Sequence, residues 1–407
     1  MTSAPVRSTA PGTRLPALLV TLAFGSMLFS ANLAAPLYAG YAERFGFSTA
    51  VLALIFAVYA LVLIPSLLVF GQVSDSFGRR PVIAAGLVTA IVALLLFAFA
   101  ASAWWLFAAR AVQGLAQGMM SGAATAALAE LVPGQDARRA ALMATLAQSG
   151  GSASGVLVSG ILAQWAAAPQ VLPYVAGMTC CLLAIVALRT VPETARRATR
   201  SRLRVRRPRV PAEIRGAFFR VGLTAAAVWA VAAGLFLSII PSYAGKLVLH
   251  SHNLALLGAV SALVLGCSCL AQLAVRRGAP PATAQAGGLT LLAAGLLCLV
   301  LSAPLQAPVL LVAGAVLAGV GHGLAFLAAQ DDLTHIAPAD QRAEVSAAFY
   351  VCVYLGVALP IIGIGVVAVY TTLFIGVTTF AAVTGTAAML LAGWHLRHRA
   401  PAQAPVA

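Results

Sequence analysis

The chain has 407 residues, of which 61% are apolar and only 9% are charged. A soluble domain typically carries about 25% charged residues, so this composition excludes a disordered chain and a water-soluble globule. The mean hydropathy of +0.97 indicates that lipid is the solvent for most of the chain.

Runs without acidic or basic residues predict the membrane helices. A span needs about 20 apolar residues, and three of the charge-free runs are long enough for two spans each. β-Barrel strands would instead show short alternating segments, so we predict an all-α integral membrane protein with twelve spans. The predicted spans are 16–40, 49–71, 81–101, 104–131, 139–163, 171–190, 216–240, 252–275, 282–303, 306–330, 342–366 and 370–393.

The basic residues predict the orientation. With a cytoplasmic N-terminus, 22 of the 25 Lys and Arg residues fall in cytoplasmic segments, as the positive-inside rule requires. We therefore predict a multi-pass protein of the bacterial cytoplasmic membrane with both termini in the cytoplasm. The net charge of +15 then reflects contact with the lipid bilayer and needs no nucleic-acid partner. All six cysteines lie inside predicted spans, so we expect neither a disulfide nor a metal site.

The chain divides into two similar halves. Residues 191–215 are Arg-rich and flanked by prolines, which predicts a cytoplasmic linker between bundles at 1–190 and 216–407. Parallel repeats of this kind, with a cavity at their interface, are typical of secondary transporters. An offset of 205 residues aligns Gly114 with Gly319, Gly118 with Gly323, Pro133 with Pro338, Gly151 with Gly356, and Gly160 with Gly365.

The loop between spans two and three carries the most specific motif. It reads Gly71-Gln-Val-Ser-Asp75-Ser-Phe-Gly78-Arg79-Arg80, and this pattern resembles the signature loop of the major facilitator superfamily. The resemblance implies that Asp75 meets the N-terminus of span eleven. It also implies that Arg79 pairs with an acid at the inner end of span four, which here is Glu130. We predict that a conformational latch joins the two halves on the cytoplasmic side. Its residues are Gly71, Asp75, Gly78, Arg79, Arg80 and Glu130.

Span four contains Arg110-Ala-Val-Gln113-Gly114, which is similar to a second motif of that superfamily. In the family, the equivalent arginine is linked to proton coupling. A charge inside a membrane span is costly and usually faces the protein interior, although Arg110 could also snorkel to the outer surface. The small residues Gly114, Gly118 and Gly122 predict close helix packing.

Span five resembles the antiporter signature of the superfamily only in part. Val156 replaces the usual proline, and Ser159 replaces the first glycine of a pair. The stripe of Gly151, Gly155 and Ser159 remains, and we expect it to pack against span eight. Gly160 completes the predicted packing residues of this span.

Two further segments extend the resemblance over the whole chain. The sequence from Asn32 to Tyr38 is similar to a motif of twelve-span drug exporters, and Pro192-Glu193-Thr194 is similar to the family's sequence after span six. The resemblance to drug–proton antiporters implies twelve helices in two pseudo-symmetric six-helix bundles.

Polar residues inside the spans are the remaining site candidates. Since no acid lies in the middle of any span, neutral or mildly anionic amphiphiles fit better than cations. Besides Arg110, the proton-coupling candidates are His322, Asp331 and Asp332. His322 could instead be a hydrogen-bonded interior histidine, and the two aspartates could be solvated at the end of span ten. The cavity candidates, whose aromatic members could equally face lipid, are Asn32, Gln113, Gln148, Trp229, Phe236, Tyr350 and Tyr354.

We therefore predict a monomeric transporter that exports a small amphiphilic drug or metabolite by alternating access, coupled to protons and without a cofactor. An importer or facilitator of a small metabolite is the alternative. An intramembrane enzyme is disfavoured because no catalytic motif lies in a span, and a P-loop for ATP is absent. A non-transporting sensor would lack a signalling domain, because both termini are short.

Overall fold

The computed structural model describes residues 14–194, 210–274, 280–338 and 341–397. These residues form helices joined by short turns, and they contain no β-strand. Most of the predicted linker lies outside the described residues. The helices are α1 (Leu15–Asn32), α2 (Tyr38–Phe45), α3 (Thr49–Phe77), α4 (Arg79–Ala98), α5 (Ala103–Leu131), α6 (Ala137–Trp165), α7 (Leu172–Leu188), α8 (Arg215–Trp229), α9 (Ile240–Tyr243), α10 (Leu254–Ala274), α11 (Pro281–Ser302), α12 (Pro308–Ile336), α13 (Arg342–Tyr370) and α14 (Leu373–Arg397).

Every predicted span falls on a helical segment, and the all-α fold is confirmed. Within the described residues, nine helices are long and apolar enough to cross a membrane. The segments that correspond to spans four, five and six are not among these nine. Polar residues lower the hydropathy of α5 and α6, and α7 has only 17 residues. The count of twelve crossings therefore stays a prediction.

Some helix ends differ from the predicted ends. The first predicted span is broken after Asn32, because the following residues form a 3-10 turn over Ala35–Leu37 before α2. The seventh continues from α8 into a π-helical segment over Ala230–Phe236. The helix α3 continues past its predicted end to Phe77, since backbone hydrogen bonds can extend a helix beyond the hydrocarbon.

Large aromatic side chains mark one end of the helix bundle. Trp104 at the start of α5, Trp165 at the end of α6 and Tyr370 at the end of α13 are 79%, 68% and 84% exposed. All three lie at the end that the charge pattern assigns to the outside. Tryptophan and tyrosine favour the membrane–water interface, so this ring of side chains is typical of a polytopic membrane protein.

Residues that are 205 positions apart make equivalent helix-packing contacts in the two halves. A Cβ atom at Gly114 would clash with the carbonyl oxygen of Tyr59 on α3, and one at Gly319 would clash with that of Val264 on α10. The same offset relates Tyr59 to Val264. Helix α5 therefore packs on α3 as α12 packs on α10, through backbones that only glycine lets approach so closely.

The stripe on α6 packs against a different helix from the one that we predicted. Cβ atoms at Gly151 and Gly155 would clash with carbonyl oxygens of α1, and the Ser159 hydroxyl donates a hydrogen bond to Leu33 O. The stripe therefore faces α1 within the same half. Gly160, on the next face, contacts α10 instead, where its Cβ would lie 2.7 Å from Leu254 O.

The glycines of α5 give a first test of this packing. We expect Gly114→Ala to destabilise the protein by about 1–3 kcal/mol, because the added methyl overpacks the contact with Tyr59. Gly122→Ala is the matched control, since its Cβ would meet Gly71 Cα at an ordinary 3.6 Å. Alanine is the better helix former, so the control should keep or raise the melting temperature of the purified protein. Equal melting temperatures of the two variants would contradict the packing.

Candidate substrate and coupling site

A central cavity lies between the two halves of the chain. Four of the predicted cavity residues line it: Asn32 on α1, Gln148 on α6, Trp229 on α8 and Tyr354 on α13. The lining also includes Arg110, which the sequence analysis assigned to proton coupling. Side chains from both halves thus face one space, which is the arrangement expected of a transporter cavity.

The other three predicted cavity residues do not line it. Phe236 is fully buried in the apolar core of the C-terminal half. Gln113 is buried behind Arg110, and Tyr350 lies behind Tyr354, where its hydroxyl accepts a hydrogen bond from Gln330 Nε2 at 3.4 Å. Helical periodicity does not reveal which of several polar or aromatic side chains faces the cavity. Residues that sequence reasoning missed also line it, and they include Phe56, Tyr59, Ser152 and Ser238.

Arg110 is buried and held by aromatic rings. Only 5% of the residue is exposed, which excludes snorkelling to the surface. The guanidinium carbon lies 5.2, 4.5 and 5.4 Å from the ring centroids of Tyr38, Phe56 and Tyr59. Its Nη1 donates to Gln113 Oε1 at 2.7 Å, whereas Nε is buried without a partner.

The three rings stabilise a charge that has no carboxylate partner among the described residues. Placing an arginine in a span costs about 2.5–3.5 kcal/mol. Each cation–π contact contributes roughly 0.5–2 kcal/mol, with the larger value in desolvated sites. Three contacts are sufficient to offset that cost, so Arg110 can remain charged beside the cavity. Because a guanidinium does not lose its proton in proteins, Arg110 itself cannot be the proton carrier.

A polar layer at the level of Arg110 divides the core of the N-terminal half. Gln113 Nε2 donates to Ser30 O at 3.4 Å, and the Ser30 hydroxyl contacts the Cys181 sulfur at 3.1 Å. One apolar cluster lies on each side of this layer. The layer explains why Gln113 is buried without reaching the cavity, since its amide groups bind Arg110 and the backbone.

His322 is buried in a cluster that joins the two halves. Its Nδ1 is 2.8 Å from the Ser268 hydroxyl on α10, which lies 3.5 Å from the Ser149 hydroxyl on α6. The ring packs edge-on against Trp229, with centroids 5.1 Å apart, and Trp229 in turn lines the cavity. No residue in the described part of the chain forms a hydrogen bond with His322 Nε2. One side of the ring is therefore satisfied, as in the interior alternative, and one tryptophan separates the ring from the cavity.

The two aspartates at the end of α12 lie away from the cavity. Asp332 accepts a hydrogen bond from Gln285 Nε2 at 3.2 Å. The Asp331 carboxylate is 16% exposed and lies 3.9 Å from His335 Nδ1. Neither side chain is freely solvated, and neither lines the cavity.

The loop motif forms a compact ion-pair network inside the N-terminal half. Arg79 pairs with Asp75, and its Nη2 lies 3.2 Å from Glu130 Oε1, as predicted. These two ion pairs join α3, α4 and α5, which all belong to the N-terminal half. The packing of the described residues does not require glycine at position 71, because a Cβ there would meet none of their atoms within 4 Å. The latch function of this loop stays a prediction.

The sequence analysis missed the main partner of this loop, Glu193. Its carboxylate accepts hydrogen bonds from the backbone N–H groups of Arg79 at 2.8 Å and Arg80 at 3.1 Å. The carboxylate thus caps the positive N-terminus of α4. Gly78 has a φ of +112°, and a Cβ there would lie 2.6 Å from Glu193 Oε2. The sequence pointed to this residue through the Pro192-Glu193-Thr194 segment, which is similar to a family sequence. In the structure, Thr194 of this segment also donates a hydrogen bond to Glu130.

Repeated helical halves around a cavity define a membrane transport fold. The family model of the major facilitator superfamily matches residues 19–361. The chain belongs to that superfamily and is a multi-pass membrane protein.

Solved structures show the same fold. The human organic anion transporter MFSD10 (TETRAN) superposes with a TM-score of 0.75 at 18% identity, covering 94% of this chain and 100% of that chain. A D-xylose–proton symporter superposes with a TM-score of 0.70 at 18% identity, covering 94% of this chain and 96% of that chain. At this identity the likeness is one of fold alone. A comparison with curated protein sequences finds no match.

Proposed function

We propose that this protein is a proton-coupled exporter of small amphiphilic molecules that works by alternating access. The observation that carries the proposal is the cavity between the halves, which is apolar over most of its wall and has a few polar groups. Such a cavity accepts an amphiphile without a dedicated catalytic group. We further propose a monomer in a bacterial cytoplasmic membrane with both termini inside, and we propose no enzymatic activity.

His322 is our candidate for the coupling proton. It is a titratable side chain at the junction of α6, α10 and α12, and histidine can change charge near physiological pH. Its described neighbours are Ser268, Trp229 and Phe326, and its described hydrogen bonds and ion pairs include no carboxylate. A protonated ring would be poorly solvated in this packing. Protonation would therefore favour a conformation in which the cluster opens to water, and this difference couples protons to the transport cycle.

The loop from Gly71 to Arg80 is a second candidate for control of the cycle. Its ion pairs are partly exposed, with 46% of Asp75 and 36% of Glu130 accessible, so each contributes little to stability. We propose that the loop, capped by Glu193, acts on the predicted cytoplasmic side when the halves move. The import alternative remains, because a related fold belongs to a proton symporter.

Transport in proteoliposomes with an imposed pH gradient tests this function. A panel of neutral, anionic and cationic amphiphiles is offered, and a protonophore that collapses the gradient serves as the control. We expect substrate to move against the direction of proton flow. Movement in the same direction as the protons would indicate an importer, and movement that ignores the gradient would indicate a facilitator.

A further inference from the structure

We propose that the transported amphiphile is an organic carboxylate, and that its carboxylate binds the Nε–Nη2 edge of Arg110. This inference rests on the proposed transport function, because it names the substrate class for the same cavity. The binding residue is Arg110, and the described residues do not use all of its hydrogen-bond donors.

Arg110 does not use all of its hydrogen-bond donors within the described residues. Nη1 is occupied by Gln113 Oε1. Nε is buried and has no hydrogen-bond partner among the described residues. A buried donor without a partner is destabilising, so a ligand that supplies an acceptor gains binding energy. The Nε–Nη2 edge presents two parallel N–H groups, which match the two oxygens of a carboxylate.

The surroundings of Arg110 leave its charge uncompensated. The rings of Tyr38, Phe56 and Tyr59 stabilise the cation without neutralising it. Of the described residues that line the cavity, none is acidic, and Arg110 is the one with a formal charge. The cavity therefore favours an anion over a cation of the same shape.

The rest of the cavity selects the body of the ligand. Beyond Arg110, the wall is formed mainly by apolar side chains of α1, α8 and α13, and Trp229 offers an aromatic face. Ser152 and Ser238 add two hydroxyl groups to the lining. A single carboxylate joined to an aromatic or aliphatic body matches this distribution, whereas a small inorganic anion would leave the apolar wall without a partner.

Binding of matched ligand sets to the purified full-length protein tests the proposal. The three ligands of a set share one apolar group, such as phenylbutyl, naphthylmethyl or octyl. They differ only in the head group, which is a carboxylate, a neutral amide or an amine. Isothermal titration calorimetry gives the affinities. We expect the carboxylates to bind the unaltered protein on the order of tenfold to hundredfold more tightly than the amides, as a charge-assisted pair should.

Three variants identify the residue responsible. Arg110→Gln should remove the preference, so that carboxylate and amide bind with similar affinity. Arg110→Lys should keep part of the preference, because it retains the charge and loses the two-pronged edge. Arg44→Gln is the matched control, since Arg44 also lies over a ring, that of Phe45, but outside the cavity. Its binding should match that of the unaltered protein, and melting temperatures confirm that each variant is folded.

The outcomes are decisive in both directions. Equal or absent binding of carboxylate and amide across the panel would overturn the proposal. So would an Arg110→Gln protein that is folded and still prefers carboxylates. The binding assay needs no gradient, so carboxylate binding without gradient-driven transport would refute the proposed export and leave the anion site intact.

Discussion

His322→Asn is expected to abolish transport driven by a pH gradient while leaving exchange of substrate across the membrane. Asparagine can keep a hydrogen bond to Ser268 but cannot be protonated, so the polar contact is retained and the coupling is lost. We expect gradient-driven transport to fall at least about tenfold, since a coupling energy of 1.4 kcal/mol already corresponds to that factor. The measurement is transport in proteoliposomes with and without the gradient.

His395→Asn provides the matched control for this prediction. His395 is also a buried histidine bonded to a hydroxyl, since its Nε2 is 2.9 Å from the Thr224 hydroxyl. It lies on α14, away from the lining of the cavity. The control variant should keep gradient-driven transport. A His322→Asn protein that responds to the gradient like the unaltered protein would exclude His322 as the coupling residue.

Gly160→Ala is expected to reduce transport strongly, because it separates the two halves at a close backbone contact. The new Cβ would lie 2.7 Å from Leu254 O and 3.4 Å from Gly258 Cα on α10. The overpacking destabilises the contact between the two halves by about 1–3 kcal/mol. If one conformation of the cycle bears that cost, its population falls about tenfold to hundredfold. The initial rate of uptake into proteoliposomes measures the effect.

Gly266→Ala tests whether the effect depends on position. Gly266 lies on α10, the same partner helix, and a Cβ there would meet nothing within 4 Å. Its transport rate should equal that of the unaltered protein. If Gly160→Ala transports equally well, the close contact between α6 and α10 is not needed for the cycle.

The candidate site was partly predictable from the sequence. The pairing of Arg79 with Glu130 follows from a motif at fixed spacing, and the structure shows it. The importance of Arg110 follows from the cost of a charge in lipid. Its aromatic cage did not follow, although Phe56 and Tyr59 stand one helical turn apart on span two. The sequence lacked an acid to pair with the arginine, and aromatic faces were the remaining way to stabilise it.

The direction in which a stripe faces was not predictable from spacing. Gly151 and Gly155 are as well placed in the sequence to meet one neighbouring helix as another, and they pack on α1. Phe236 and Tyr350 similarly satisfy an aromatic pattern, yet both are buried away from the cavity. Helical periodicity groups residues on one face, but the rotation of that face is set by contacts with other helices.

By itself, the sequence determined the protein class and the positions of the apolar helical segments. These follow from local physical requirements, since lipid demands long apolar segments with internally bonded backbones. The tertiary structure alone decided three other contacts between residues 50 or more positions apart: Arg110 with its rings, Glu193 with α4, and His322 with the junction between the halves. Those meetings depend on helix rotation and close backbone approach, which arise only when all the helices pack together.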